Sequence, residues 1–376
     1  PPYDPVVPSS LDQWWKWWVS SGSWVSAAEY TEDDVWFEAD IYDQVDNVFY
    51  WRITDKVPDW VSGKIYRMRV KATDRVGNIE TVVSTRTFTV DIQPPVSRAV
   101  RPQDGGFYND TTNRLTVLSG TAIDDLPDNV KYTKIRIWYE TESIKYYWGH
   151  TGWVTYSSWV YTQNLTSGGT WWVYTTEIPW VSGKVYYMNT QATDNADNTE
   201  INFSTISFMV DVEPALASVI KPQHNAGYNN TTNVLNIFEG ECSDDFAGVK
   251  KVEIAIQRLS DGYWWQGGVA WASSQPSDWP DANLSPDATY WWLNVSPEMW
   301  TSGVRYNLIA RGIDNADNVQ TTFEVGISSV IFYIDYVAPN SYIVLPIDND
   351  AYSLNKPLVT ISGTAVDDFS GVVGVK

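Results

Sequence analysis

From Ile65 the chain reads Ile-Tyr-Arg-Met-Arg-Val-Lys-Ala-Thr-Asp, which puts Tyr66, Met68, Val70 and Ala72 on one face and Arg67, Arg69 and Lys71 on the other. A period of two is the side-chain period of a strand with one buried face. The pattern returns with Tyr186, Met188, Thr190 and Ala192 inward, and again with Tyr306, Leu308, Ala310 and Gly312. Further strands are predicted over residues 86–91, 206–211, 116–123 and 132–139. No long stretch carries an apolar stripe at helical spacing. Many short strands with turn signals between them predict an all-β fold built of β-sandwiches.

The strands belong to a repeat. Trp60, Trp180 and Trp300 stand 120 residues apart, each followed by Ser-Gly and then by Tyr66, Tyr186 or Tyr306. Asp74, Asp194 and Asp314 keep the same spacing, as do Asn78, Asn198 and Asn318, and Trp51, Trp171 and Trp291. A second block reads Gly120-Thr-Ala-Ile-Asp-Asp125, Gly240-Glu-Cys-Ser-Asp-Asp245 and Gly363-Thr-Ala-Val-Asp-Asp368. Proline-bearing links follow Asp91, Asp211 and Asp335 and read as short, semi-rigid connections. They divide the chain into residues 1–93, 94–212, 213–336 and 337–376. The first repeat is expected to lack its opening strands, and the last to hold little besides those strands. That suggests a window on a longer chain, or else a tail that completes the head of a second copy by donating strands.

The run Ala72-Thr-Asp-Arg-Val-Gly-Asn78, a strand ending Phe-Thr-Val-Asp91 and a Pro-rich link resemble tandem bacterial Ig-like domains of large cell-surface and adhesin-type repeat proteins. Residues 192–198 and 312–318 match, with Asp197 and Asp317 where the first run has Gly77. The Gly-x-x-Tyr start of the strand looks like the tyrosine corner of Ig-type sandwiches. The resemblance implies tandem Ig-like sandwiches of about 120 residues in an extracellular stalk, adhesin or surface-layer role, without catalysis.

Composition narrows the chemistry. With 25 basic against 46 acidic residues the net charge is -21, which repels nucleic acid over most of the surface. Two His and one Cys leave almost no stock for zinc sites, thiol nucleophiles or His-based triads. Everything distinctive occurs three times, as in a scaffold, whereas an enzyme needs one pocket. No apolar run is long enough to span a bilayer as a helix. Cys242 aligns with Ala122 and Ala365 and reads as a small core residue, while His150 and His224 read as surface residues. Sequons at Asn109, Asn164, Asn202, Asn229, Asn230, Asn283 and Asn294 make glycosylation conceivable.

Two sets of repeated residues are candidates for binding. If the Asp-Asp blocks and the Asp-x-x-x-Asn blocks end strands at one end of each sandwich, Asp91, Asp124, Asp125, Asp194 and Asn198 converge at one junction. Asp211, Asp244, Asp245, Asp314 and Asn318 then converge at the next. Crowded carboxylates call for a hard cation, and Ca²⁺ with its 6–8 oxygen ligands suits them. The other reading is that they only close Asx-turns. The second set is aromatic: Trp171-Trp172, Trp291-Trp292 and Trp264-Trp265 are neighbours, so only one of each strand pair can enter a core. Arg52 follows Trp51 in the first repeat, which points to Trp172 and Trp292 as the outward members. Outward indoles could meet another copy, stack on glycans, or lie under the insert between strands.

These readings converge on a non-enzymatic, secreted or surface-displayed chain of Ig-like sandwiches forming a stalk, filament or coat. Its expected partners are its own copies or adjacent repeats. The alternative is a carbohydrate-binding, non-catalytic portion of a secreted enzyme or adhesin.

Overall fold

The computed structural model describes residues 13–18, 21–126, 129–164, 166 and 170–376. The chain divides into two units, Pro1–Pro94 with Asp124–Pro127 and Asn195–Asn198, and Pro95–Ile123 with Asp128–Asp194 and Thr199–Lys376. Among the described residues all regular structure is strand, apart from 3₁₀ turns at Glu32–Asp34 and Pro297–Met299. The fold is all-β, tandem and Ig-like.

In the smaller unit the strands pair two by two: Gln13–Trp18 with Ser21–Ser26, Asp40–Val45 with Val48–Arg52, and Lys64–Val70 with Ser84–Val90. Tyr66 is buried there against Trp60 and Phe88, with ring centroids 4.7 Å and 5.7 Å away. Met68, on the same apolar face by alternation, is 44% exposed. A two-stranded ribbon buries an apolar face only where a second layer covers it.

The larger unit holds two sandwich cores. In the first, strands Val130–Thr141, Lys184–Asp194 and Thr205–Val210 form the centre of one sheet, to which Gly106–Tyr108 adds in parallel. The facing sheet runs Gln163–Asn164, Trp171–Tyr174, Leu118–Ile123, Val96–Arg101. Ile135, Ile137, Tyr186, Met188, Ala192 and Phe208 meet Leu118, Ala122 and Trp172 between the layers. The second core repeats the plan with Val249–Arg258, Val304–Asp314 and Ser329–Ile334 against Ile237–Ser243 and Tyr290–Asn294. Tyr306, Leu308 and Ala310 point inward, as the alternation predicts. The chain passes from one sheet to the other after a cis X–Pro bond at Pro102 and again at Pro222.

Each core is pinned at two corners by a tyrosine hydroxyl. Tyr186 accepts from the Val181 amide at 2.6 Å, and Tyr306 from the Thr301 amide at 2.9 Å. A second corner, absent from the sequence reading, joins Tyr108 to the Gln103 amide and Tyr228 to the Gln223 amide, both at 2.9 Å. Trp180 and Trp300 lie edge-on to Tyr186 and Tyr306 at 4.9 Å and donate to the carbonyls of Leu115 and Leu235. Cys242 is buried in the second core. His150 is exposed, but His224 is half-buried and accepts from the Ile331 amide, a departure from the surface reading. Asn109 is buried with its amide bonded to the Ala316 carbonyl at 2.8 Å, which withdraws that sequon.

The first tryptophan pair departs from the expected arrangement, and the second keeps it. Trp172, not Trp171, is the core member in the first sandwich, at 0% exposure against 42%. In the second, Trp291 is the core member and Trp292 the half-buried one. Register explains the change. Trp172 stands opposite Gly120 and Trp291 opposite Gly240. Strand Val130–Thr141 meets its partner at Val130–Asp194, and Val249–Arg258 at Val249–Asp314, so the preceding loop is one residue shorter in the second sandwich. The letters recur at 120, but the equivalent core positions, 172 and 291, are 119 apart. A one-residue slip moves a side chain to the other face. Glycine is required under each indole: a Cβ on Gly120 would lie 2.2 Å from Trp172, and one on Gly240 would lie 2.7 Å from Trp291.

Candidate metal centre

A strand carries its last residue to the rim of the sheet, and three such rim residues, one from the first sandwich and two from the second, are acidic. Asp211 follows strand Thr205–Val210, Asp244 follows Ile237–Ser243, and Asp314 closes Val304–Asp314. Their ligand oxygens lie within 4.8 Å of one another. Asp211 is 1% exposed and Asp314 0%. No Lys or Arg is ion-paired to these three among the described residues.

Local turns aim the carboxylates. Asp314 accepts from the Asn318 amide at 2.9 Å and from its side-chain amide at 2.8 Å, closing a loop in which Asp317 takes a left-handed φ of 68°. Gly77 holds the corresponding place in the smaller unit, at φ 92°. Asp244 accepts from the amides of Phe246 at 3.0 Å and Gly248 at 2.6 Å, both through Oδ1. Its Oδ2 is buried without a hydrogen-bond partner. Asp211 accepts from Glu213 at 3.1 Å through Oδ1 and from Ala247 at 2.9 Å through Oδ2. Burial holds the Asp314 carboxyl above the usual carboxylate range, and the charges of Asp244 and Asp211 push it the same way against the Asn318 bonds.

An orphaned, buried carboxylate oxygen beside two wholly buried carboxylates is a costly arrangement for protein atoms alone. The donor set is all hard oxygen, and it fits a calcium ion. The Asx-turn reading holds as well: these side chains do close turns, yet the turns leave Asp244 Oδ2 over.

The other predicted ligands distribute as follows. Asp91, Asp124 and Asp125 form a second group in the smaller unit, with Asp91 bonded to the Gln93 amide and Asp124 to the Leu126 amide. Asp194 is buried and belongs to the larger unit. Asp245 stands outside the Asp211 group. Asn318 and Asn198 act differently from the ligand role expected of them. Their side-chain amides donate to the Asp211 and Asp91 carbonyls, at 2.9 Å and 3.1 Å, so they clamp the linkers. A third group, Asp335, Asp367 and Asp368, repeats the geometry, again with a buried, unpartnered Oδ2 on Asp367. The sequence reading did not include it, although the block ending Val-Asp-Asp368 and the Asp335 link carry the same signal.

Burial divides the aromatic candidates. Trp172, Trp291 and Trp265 are core residues and cannot serve an outward contact, which corrects their place in that set. Trp171, Trp264 and Trp292 keep accessible surface. The inserts cover the opposite sheet instead. Trp159 lies over Arg136 at 4.7 Å and Trp279 over Arg311 at 4.1 Å.

No protein family and no curated protein matches the chain. Among solved structures it is similar to the fibronectin(III)-like modules of Clostridium thermocellum CbhA, at 11% identity and TM-score 0.30, over 64% of this chain and 95% of that one. A Ca²⁺-stabilized adhesin that helps an Antarctic bacterium bind ice matches at 11% identity and TM-score 0.27, over 78% of this chain and 61% of that one. The Protocadherin GammaB4 extracellular domain matches at 14% and TM-score 0.28, over 81% and 45%. The fold assignment itself rests on the strand order and pairing described above.

Proposed function

We propose that this chain is an extracellular, non-catalytic repeat protein that builds a stalk, filament or coat, with successive repeats joined through calcium. The borders of the repeats in this reading fall at residues 93, 212 and 336. The observation that carries it is the Asp211–Asp244–Asp314 group. Asp211 comes from the last strand of one core, while Asp244 and Asp314 come from the next. A cation there neutralises buried like charge and ties consecutive repeats through their most rigid parts, the strand ends. Exposed surface links of the same acidity would be weaker, because water screens them.

Calorimetric calcium titration of the chain tests the proposal, alongside thermal melts with and without chelator. Calcium is expected to bind and to raise the melting temperature, through a mass-action stabilisation of about 2.7 kcal/mol at a hundredfold excess over Kd. Asp244→Asn, which keeps the turn-forming Oδ1 and removes a charge, should weaken binding at the Asp211–Asp244–Asp314 group while leaving the chelated protein at least as stable. Failure to bind calcium at millimolar concentration would overturn the reading.

A further inference from the structure

The two narrower sheets of the larger unit carry opposite charge on their outer faces. In the first sandwich, strands Val96–Arg101, Leu118–Ile123, Trp171–Tyr174 and Gln163–Asn164 contain Arg98 and Arg101 and no acidic residue. Register sets Arg98, Thr121 and Trp171 in one row across the sheet, with exposed Val96 and Ile123 paired beside it. In the second, strands Leu216–Ala217, Ile237–Ser243, Tyr290–Asn294 and Asn283–Leu284 contain Glu239 and Glu241 and no basic residue. There Glu239 is opposite Trp292 and Glu241 opposite Tyr290, with Leu216 exposed at the edge. Lys221 stands across from Glu239, and Tyr290 donates to Glu239 at 2.5 Å, so Glu241 is the uncompensated charge. Neither Arg98 nor Glu241 has an ion-pair partner among the described residues.

We propose that the Arg98–Trp171 face of one copy docks on the Glu241–Trp292 face of a second copy. The exposed Trp171 indole, the accessible part of Trp292 and the exposed aliphatic side chains supply apolar area, and the opposite charges supply orientation. Like faces repel, so each face rejects itself and selects the other. The contact is heterologous, and it propagates from copy to copy unless the rotation closes a ring. It does not depend on the calcium groups.

Sedimentation velocity of the full chain, at constant calcium over a concentration series, tests it. The wild type is expected to self-associate, less so as salt rises. Arg98→Glu and Glu241→Arg should each weaken association roughly tenfold or more, with unchanged melting because both sites are exposed. An equimolar mixture of the two variants should associate again, since each keeps or acquires the charge its partner lacks. A monodisperse wild type, single variants that associate as the wild type does, or a mixture that stays apart would each overturn the contact. None of these outcomes bears on calcium binding, and loss of calcium binding would leave the contact standing.

Discussion

At the scale of the residue, adjacent tryptophans part company because a strand has two faces. Trp172 and Trp291 occupy core positions over Gly120 and Gly240, and each donates its indole N–H to a neighbouring carbonyl, Thr121 at 3.2 Å and Ser218 at 2.9 Å. Removing such a side chain forfeits about 3–5 kcal/mol, and a buried arginine adds an unpaired charge. Trp172→Arg and Trp291→Arg are therefore expected to lose at least that much in urea unfolding. Trp171→Arg and Trp292→Arg should stay within about 1 kcal/mol of the parent. Equal losses in both sets would refute the assigned register. Which residue of each pair is buried was not legible in the sequence. The 120-residue recurrence of Trp171 and Trp291 aligns identical letters, and a loop shorter by one residue makes those letters inequivalent.

At the scale of the element, each strand that begins Gly-x-x-Tyr is tied back to the chain five residues earlier. Burial raises the Tyr186, Tyr228 and Tyr306 hydroxyls above the ordinary tyrosine range, outweighing the backbone hydrogen bonds that act the other way. A group whose folded pKa exceeds its unfolded value of about 10 contributes stability that is complete below that pH. The contribution is lost as pH rises through the folded pKa, because only the unfolded chain ionises easily. Urea midpoints are thus expected to fall steeply above about pH 10. Tyr186→Phe, which cannot ionise but also lacks the corner bond, should start lower and fall less. An identical pH slope in the two proteins would refute the assignment. The first corner was legible because Gly183 and Tyr186 are near neighbours in a repeated motif. The second was not, since Asn225 stands before Tyr228 where Gly105 stands before Tyr108, both at left-handed φ, so no repeated motif marks the corner.

At the scale of the whole molecule, repeat proteins are held by each unit's own core plus nearest-neighbour terms. Within the larger unit two buried amides make such a term: Asn109 to the Ala316 carbonyl, and Asn318 to the Asp211 carbonyl. Each joins residues of one core to residues of the next. Their removal strands buried carbonyls, at about 1–3 kcal/mol each. In scanning calorimetry the double variant Asn109→Ala, Asn318→Ala is expected to split the melting of the larger unit into two separated transitions, measured in chelator so that calcium does not mask the effect. A single transition, shifted down as a whole, would show that coupling runs through other contacts.

The sequence by itself determined what depends on near neighbours. Alternation marks strands because the side-chain period of an extended chain is two. Asp-x-x-x-Asn marks a loop because a carboxylate can cap amides four residues on, as Asp314 does with Asn318. Recurring aspartates at strand ends place acidic groups on a common rim, and that reasoning reached Asp91, Asp124 and Asp125 as well as Asp211, Asp244 and Asp314. Tertiary structure alone decided the rest. It made Asn318 a clamp where the sequence suggested a ligand, left one oxygen of Asp244 without a donor, and buried Trp172 in place of Trp171. Each of these turns on the register between strands far apart in the chain. Loop length sets that register, and a shift of one residue is invisible to local pattern yet reverses the face a side chain occupies.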